Sequence, residues 1–210
     1  MARTTWFFML FLMVLLAIGY RQMQQRLPGG AADVHYQNGF NLSQEGKHEA
    51  AMVELRRALK IEPSHQMARG KLAEELEAVG NYGDAVKQWL RLLREANAAK
   101  QEGVTRRDGY QLWYLHQHIG LCKLRMGDFK AAVQALDLAL KTSPLKADLN
   151  LLLGEALGKQ GDVKGAARAF LDVLQKAPQN SEAYQKLTEL YKEQKLDEKL
   201  KELRERWGRK

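Results

Sequence analysis

The chain has 210 residues, a formal net charge of +8, 45% hydrophobic residues and one cysteine. That length holds one domain with room for an appendage, and a lone cysteine, Cys122, excludes an internal disulfide framework and a cysteine-based zinc site. The positive charge raises the question of nucleic acid or anionic lipid, but it is dispersed, and no basic stripe with interleaved aromatics marks a nucleic-acid surface.

Thr4 to Tyr20 carries no charge over 17 residues. As a helix it spans about 25 Å, close to the lower limit for a hydrocarbon core of roughly 30 Å. Trp6 and Tyr20 stand at its ends, where aromatic rings favour headgroups, and Arg21 stops the run. These features predict a transmembrane anchor over residues 1–21. The same stretch also reads as a cleaved signal peptide, with Arg3 as its basic start, Phe7 to Leu16 as its apolar stretch and Ala17-Ile18-Gly19 as the cleavage site. The apolar run is longer than most signal peptides need, which favours the anchor. Arg3 on one flank nearly balances Arg21 and Arg26 on the other, and the short basic tail places the remainder outside, in the periplasm of a bacterial inner membrane. Residues 22–33, interrupted by Pro28-Gly29-Gly30, form a linker.

Beyond the linker the chain repeats. Gly46, Gly80, Gly127 and Gly161 follow one another at steps of 34, 47 and 34 residues, the middle step being one period plus 13 inserted residues. An alanine lies five residues after each (Ala51, Ala85, Ala132, Ala166), and Pro63, Pro144 and Pro178 close three of the units. A fixed period of this size belongs to stacked helical repeats, which make binding surfaces. Two helices per unit are expected, over 34–45 and 48–60, 66–79 and 82–96, 110–126 and 129–141, and 147–160 and 163–176. Small residues recur where the two helices approach, Gly39, Ala73, Gly120 and Gly154 on the first helix and Ala51, Ala85, Ala132 and Ala166 on the second. A bulky column of Leu55, Trp89, Leu136 and Phe170 is expected to fill the space between neighbouring pairs.

These positions resemble the tetratricopeptide repeat, whose pattern is W-x2-L-G-x2-Y followed by Ala, Phe, Ala and Pro. The copies here are His35-x2-Asn38-Gly39-x2-Leu42, Arg69-x2-Leu72-Ala73-x2-Leu76, His116-x2-Ile119-Gly120-x2-Lys123 and Asn150-x2-Leu153-Gly154-x2-Leu157. None carries the first Trp, and Asn97 replaces the proline of the second copy. The resemblance covers about residues 32 to 207. It implies an all-α, right-handed solenoid over 34–194, with repeats at about 32–65, 66–97, 113–146 and 147–180 and an insertion at 98–109. Residues 181–210 follow as a capping helix pair and basic tail. The insertion, with Lys100, Arg106 and Arg107, is either part of a binding face or an exposed loop lengthening the next helix. In the cap, Leu196, Leu200, Leu203 and Trp207 form one apolar stripe, read as the seal of the stack rather than as a membrane-surface helix.

In the resembled family the first helix of each pair lines a concave groove. Transferring those positions gives Tyr36 and Phe40, then Met67, Glu74 and Glu77. Further along come Tyr114, Gln117, Leu121, Leu124 and Arg125, then Asp148, Leu151 and Glu155, and finally Glu182, Gln185 and Glu189. The expected groove is apolar at its start and dotted with carboxylates from Glu74 onward, suited to a partner segment with apolar anchors and basic residues. Tyr36 and Phe40 stand where chaperone-binding members place Lys and Asn, so that carboxylate grip does not carry over. Gly154-Glu-Ala-Leu-Gly158-Lys159 falls short of a phosphate loop, the five histidines are scattered, and no nucleophile has a partner pattern. The expectation is a membrane-tethered scaffold that binds protein, without enzyme activity, cofactor, metal or small-molecule substrate. The alternatives are a soluble periplasmic form released by cleavage and, further off, a nucleic-acid-binding helical repeat.

Overall fold

A helix hairpin needs one residue in the left-handed backbone region and another to cap the helix that follows. The computed structural model describes residues 30–102, 110–143 and 146–208. In it, Gly46, Gly80, Gly127 and Gly161 take the left-handed position, with φ of +72°, +77°, +78° and +93°. The neighbouring residue often does the capping. Asn81 accepts from the Asp84 N–H, Asp128 from Ala131 and Asp162 from Gly165. The Lys123 ammonium beside Asp128, with the Ala131 N–H, holds that exposed carboxyl below its usual pKa. Adjacent residues thus end one helix and start the next.

Ten helices form among the described residues: α1 (Ala31–Gln44), α2 (His48–Ile61), α3 (Gln66–Ala78), α4 (Tyr82–Gln101), α5 (Leu112–Arg125), α6 (Phe129–Thr142), α7 (Ala147–Gln160), α8 (Val163–Lys176), α9 (Ser181–Glu193) and α10 (Asp197–Trp207). They fall into two units that divide after Val79. In the first, α1 packs on α2, and α3 lies against α2 and touches α1. A Cβ on Gly39 would sit 2.8 Å from Leu55 Cγ, so the α1 and α2 backbones stand closer than a larger residue allows.

In the second unit α4 packs on α5, and α6 to α10 follow, each on its predecessor, with α5 also touching α7 and α7 touching α9. The close-approach device recurs: a Cβ on Gly120 would lie 2.7 Å from Leu136 Cγ, and one on Gly154 2.5 Å from Phe170 Cε1. Around these contacts Leu136, Ala139 and Leu149 form one core cluster, and Phe170, Val173, Leu174, Leu187, Leu200 and Leu203 a second. The α10 stripe faces inward: Leu200 and Leu203 are buried, and Leu196 and Trp207 pack on the same cluster. The i, i+4, i+7, i+11 spacing of these four residues places them on one helix face.

Boundaries differ from expectation in three places. The linker expected over 22–33 gives way to α1 at Ala31, where Asp33 in the first turn accepts from the Gly30 N–H at 3.2 Å. The helix expected over 82–96 continues to Gln101, because Ala98, Ala99, Lys100 and Gln101 are strong helix formers and Ala99 is buried. The start of the expected insertion therefore extends α4. The helix expected to begin at residue 110 begins at Leu112. The anchor expected over 1–21 lies outside the described residues, among which no helix is long and apolar enough to cross a membrane.

The fifth hairpin turn lacks glycine. Lys195 adopts φ +54°, and the Leu196 N–H donates to the Tyr191 carbonyl at 2.9 Å, matching the Asp162 bond to Leu157 at the fourth turn. A side chain in this region crowds its own backbone, at a cost of roughly 1–2 kcal/mol that glycine's extra chain entropy only partly offsets. Lys195→Gly is expected to stabilise the second unit by about 1 kcal/mol. Thermal melting checks this, and an unchanged or lowered midpoint would count against it.

Candidate functional site on the inner helix faces

In the first unit the expected residues Tyr36, Phe40, Met67, Glu74 and Glu77 belong to α1 and α3. Tyr36 and Phe40 are one helical turn apart, with ring centroids separated by 6.3 Å, and Tyr36 also packs on the His65 ring at 5.2 Å. Phe40 and Met67 are 37% and 41% exposed, a large apolar surface for one small face. Lys71 Nζ lies 5.7 Å from the Phe40 ring centre and donates to Glu74 at 3.1 Å. Burial raises the Tyr36 hydroxyl pKa, the Glu74 charge adds to it and Lys71 opposes it. Burial works against the Lys71 charge, but Glu74 and Glu75 outweigh it and raise that pKa.

Behind this face, polar groups fix the helices that present it. His65 Nδ1 accepts from the Ala68 N–H at 3.1 Å, capping α3, so Nε2 carries the proton that goes to Asp33 at 3.0 Å. Glu75 is 3% exposed. It accepts from Ser43 Oγ at 2.6 Å, faces His48 Nδ1 at 2.7 Å, and lies 3.3 Å from Lys71 Nζ. One buried carboxylate thereby ties the α1–α2 turn to α3. Burial pushes the Glu75 pKa up, yet the bonds from Ser43, His48 and Lys71 prevail and hold it below the usual range.

In the second unit the expected groove residues start on α5, where Tyr114, Gln117 and Leu121 are half-buried. Tyr114 sits in an aromatic cluster absent from the sequence-based list. Its ring stacks on Tyr110 at 5.5 Å, meets Trp113 edge-on at 5.7 Å and lies 4.3 Å from His118. Trp89 of α4 lies beneath, fully buried, with centroids 5.9 Å from Tyr114 and 4.7 Å from His118. The spacing of Tyr110, Tyr114 and His118, each four residues on, was the signal that could have revealed it. Trp113 packs on the core cluster built by α5 to α7 and is covered by Lys146 Nζ at 4.3 Å.

Further along, the expected face changes character. Leu151 is not a groove residue: it is 6% exposed and belongs to the core, because α9 packs onto α7 and brings Ala183 and Leu187 into its cluster. Leu124 is buried as well. Glu155 is held by Arg125 at 3.2 Å and Lys186 at 3.1 Å, and Lys186 lies 3.9 Å from Glu182. The carboxylates expected to greet a basic partner are thus partly answered from within the chain, Glu74 and Glu155 above all. Asp148, Gln185 and Glu189 are exposed. Among the described residues no group of His, Cys, Asp and Glu is placed to hold a metal ion.

Family models described as tetratricopeptide repeat match residues 32–65 and 120–181. Among solved structures, MamA from residue 41 to its end, of Desulfovibrio magneticus RS-1, is similar with a TM-score of 0.72 at 17% identity. The match covers 83% of this chain and 92% of that one. Another MamA crystal structure gives 0.70 at 18% identity over 85% and 90% of the two chains. YrrB, described as a TPR protein with an unusual peptide-binding site, gives 0.67 at 17% identity, covering 89% of each chain. No curated protein sequence gives a significant match. At these identities the likeness is one of fold: an all-helical, tetratricopeptide-like solenoid.

Proposed function

From the tetratricopeptide repeats that this chain carries, we propose that it is a membrane-tethered adaptor that holds a protein segment against its inner helix faces and helps assemble an envelope complex. The observation that carries the reading is the exposed apolar and aromatic surface of those faces, Phe40 and Met67 on the first unit and the Tyr114 cluster on the second. Half-exposed aromatics on rigid helices give much contact area for little ordering cost, which is how interface energy becomes concentrated. The description of YrrB as a peptide-binding TPR protein supports the same use of the fold. Tethering rests on the uncharged run from Thr4 to Tyr20, with the repeats on the periplasmic side of a bacterial inner membrane. We ascribe no catalysis to the chain.

Site-directed photocrosslinking of the full chain in membranes tests this. A benzophenone amino acid at Phe40 or Gln117 should capture a discrete protein partner, whereas one at the outward positions Arg57 and Gln134 should not. Phe40→Ala should weaken that association by roughly 1–4 kcal/mol. Crosslinks confined to the outward positions, or a chain absent from the membrane fraction, would overturn the reading.

A further inference from the structure

Gly39, Gly120 and Gly154 are glycines because packing requires it, as their hypothetical Cβ contacts show. Gly158 on α7 is different. A Cβ there would meet Ala166 Cβ at 3.7 Å and Leu190 Cδ1 at 3.9 Å, ordinary contact distances, and its backbone is helical. Nothing in the packing excludes alanine, while glycine is the poorest helix former after proline. What the glycine leaves is space. Counting four residues past the close-approach glycine, α5 carries Leu124 and α7 carries bare backbone.

A cleft of about 270 Å³ opens over that backbone, between α7 and α9. Gly154, Gly158, Phe170 and Leu190 line its apolar floor. Glu155 and Lys186 border it but bond to each other at 3.1 Å, and Glu155 also takes Arg125. What remains at the rim is the neutral Gln194 and two carboxylates, Glu189 and Glu193, exposed and one turn apart on α9, against Lys159. The free rim therefore carries one carboxylate in excess. An acidic segment or an anionic headgroup would meet the wrong charge.

We propose that this cleft seats a single leucine- or methionine-sized side chain of a partner polypeptide, with a Lys or Arg of the same segment meeting Glu189 and Glu193. The proposal rests on the peptide-binding reading given above and specifies what the second unit selects. An apolar knob over a glycine floor gains contact with backbone that any side chain would block. A basic neighbour on an exposed acidic rim adds orientation and salt sensitivity more than strength.

Random twelve-residue peptides displayed on phage, selected against the full chain and then measured singly by fluorescence anisotropy, test it. Enriched peptides should share an apolar residue within about four positions of a Lys or Arg. They should bind Gly158→Leu at least about tenfold more weakly, Gly158→Ala about threefold, and Glu189→Lys/Glu193→Lys about fivefold, with affinity falling as salt rises. Both glycine variants should melt at or above the wild-type temperature, since they improve helix propensity and the larger side chain of Gly158→Leu fills existing space. Peptides that bind the Gly158 variants like wild type but are lost with Phe40→Ala would overturn the cleft and leave the peptide-binding reading standing. Enrichment of acidic peptides would overturn the proposed occupant. No enrichment at all would overturn both readings together.

Discussion

Trp89→Ala should destabilise the second unit by about 3–5 kcal/mol, the range for deleting a large aromatic from a well-packed core. Trp89 is fully buried, and its indole is the surface on which Tyr110, Tyr114 and His118 rest. Removing it leaves a void beneath half-exposed rings that cannot collapse without leaving the inner face. Urea unfolding followed by circular dichroism measures the loss, and Trp89→Phe should recover a good part of it. Binding should suffer more than stability alone accounts for, because Tyr114 is presented through this contact. A loss below about 1 kcal/mol would show that the cluster repacks freely.

Glu75→Ala should cost the first unit about 3–5 kcal/mol, the penalty for breaking a buried charged network by removing one partner. Ser43, His48 and Lys71 would lose their shared acceptor, and the α1–α2 turn its tie to α3. The pH dependence has a definite sign. The folded carboxyl titrates below its ordinary value, so its contribution is fully present above the unfolded pKa of about 4.3. It is lost as pH falls through the lower folded value. Hydrogen exchange of the segments around Ser43 and Glu75, corrected for its intrinsic pH dependence, should therefore accelerate as pH falls below the usual carboxylate range in the wild type. In Glu75→Ala it should be fast throughout, with the acid step much reduced. An unchanged acid step in the variant would assign it to other carboxylates.

The repeat pattern was legible because it is local. Glycine in a left-handed turn, a small residue at the close approach and a recurring aliphatic or aromatic residue each declare themselves at fixed spacing, and the helices follow. That the bulky residue lies directly against the small one came only with the structure. What escaped is what depends on neighbours. Leu151 sits at a groove position by register but is covered once α9 docks. Glu155 reads as a free acid until Arg125 and Lys186, 30 residues before and 31 after, arrive beside it. The α4 extension escaped because no breaker stands between Asn97 and Gly103, and period counting says nothing about which side of an insertion continues a helix. Glu75 and His65 escaped for a related reason. A polar residue inside a repeat has no pattern of its own, and only the meeting of three helices shows that it is a fastener.

The turns that pair a left-handed glycine with a capping Asn or Asp also bear on how the chain is made. Helix ends are decided within a few residues, and packing runs chiefly between consecutive helices. A hairpin can therefore close as soon as its second helix has left the ribosome, without waiting for distant sequence. Synthesis then becomes a series of small completed steps, each presenting an apolar face that the next pair covers. In the second unit the apolar face that α8 and α9 share stays open until α10 follows and lays Leu200 and Leu203 on it.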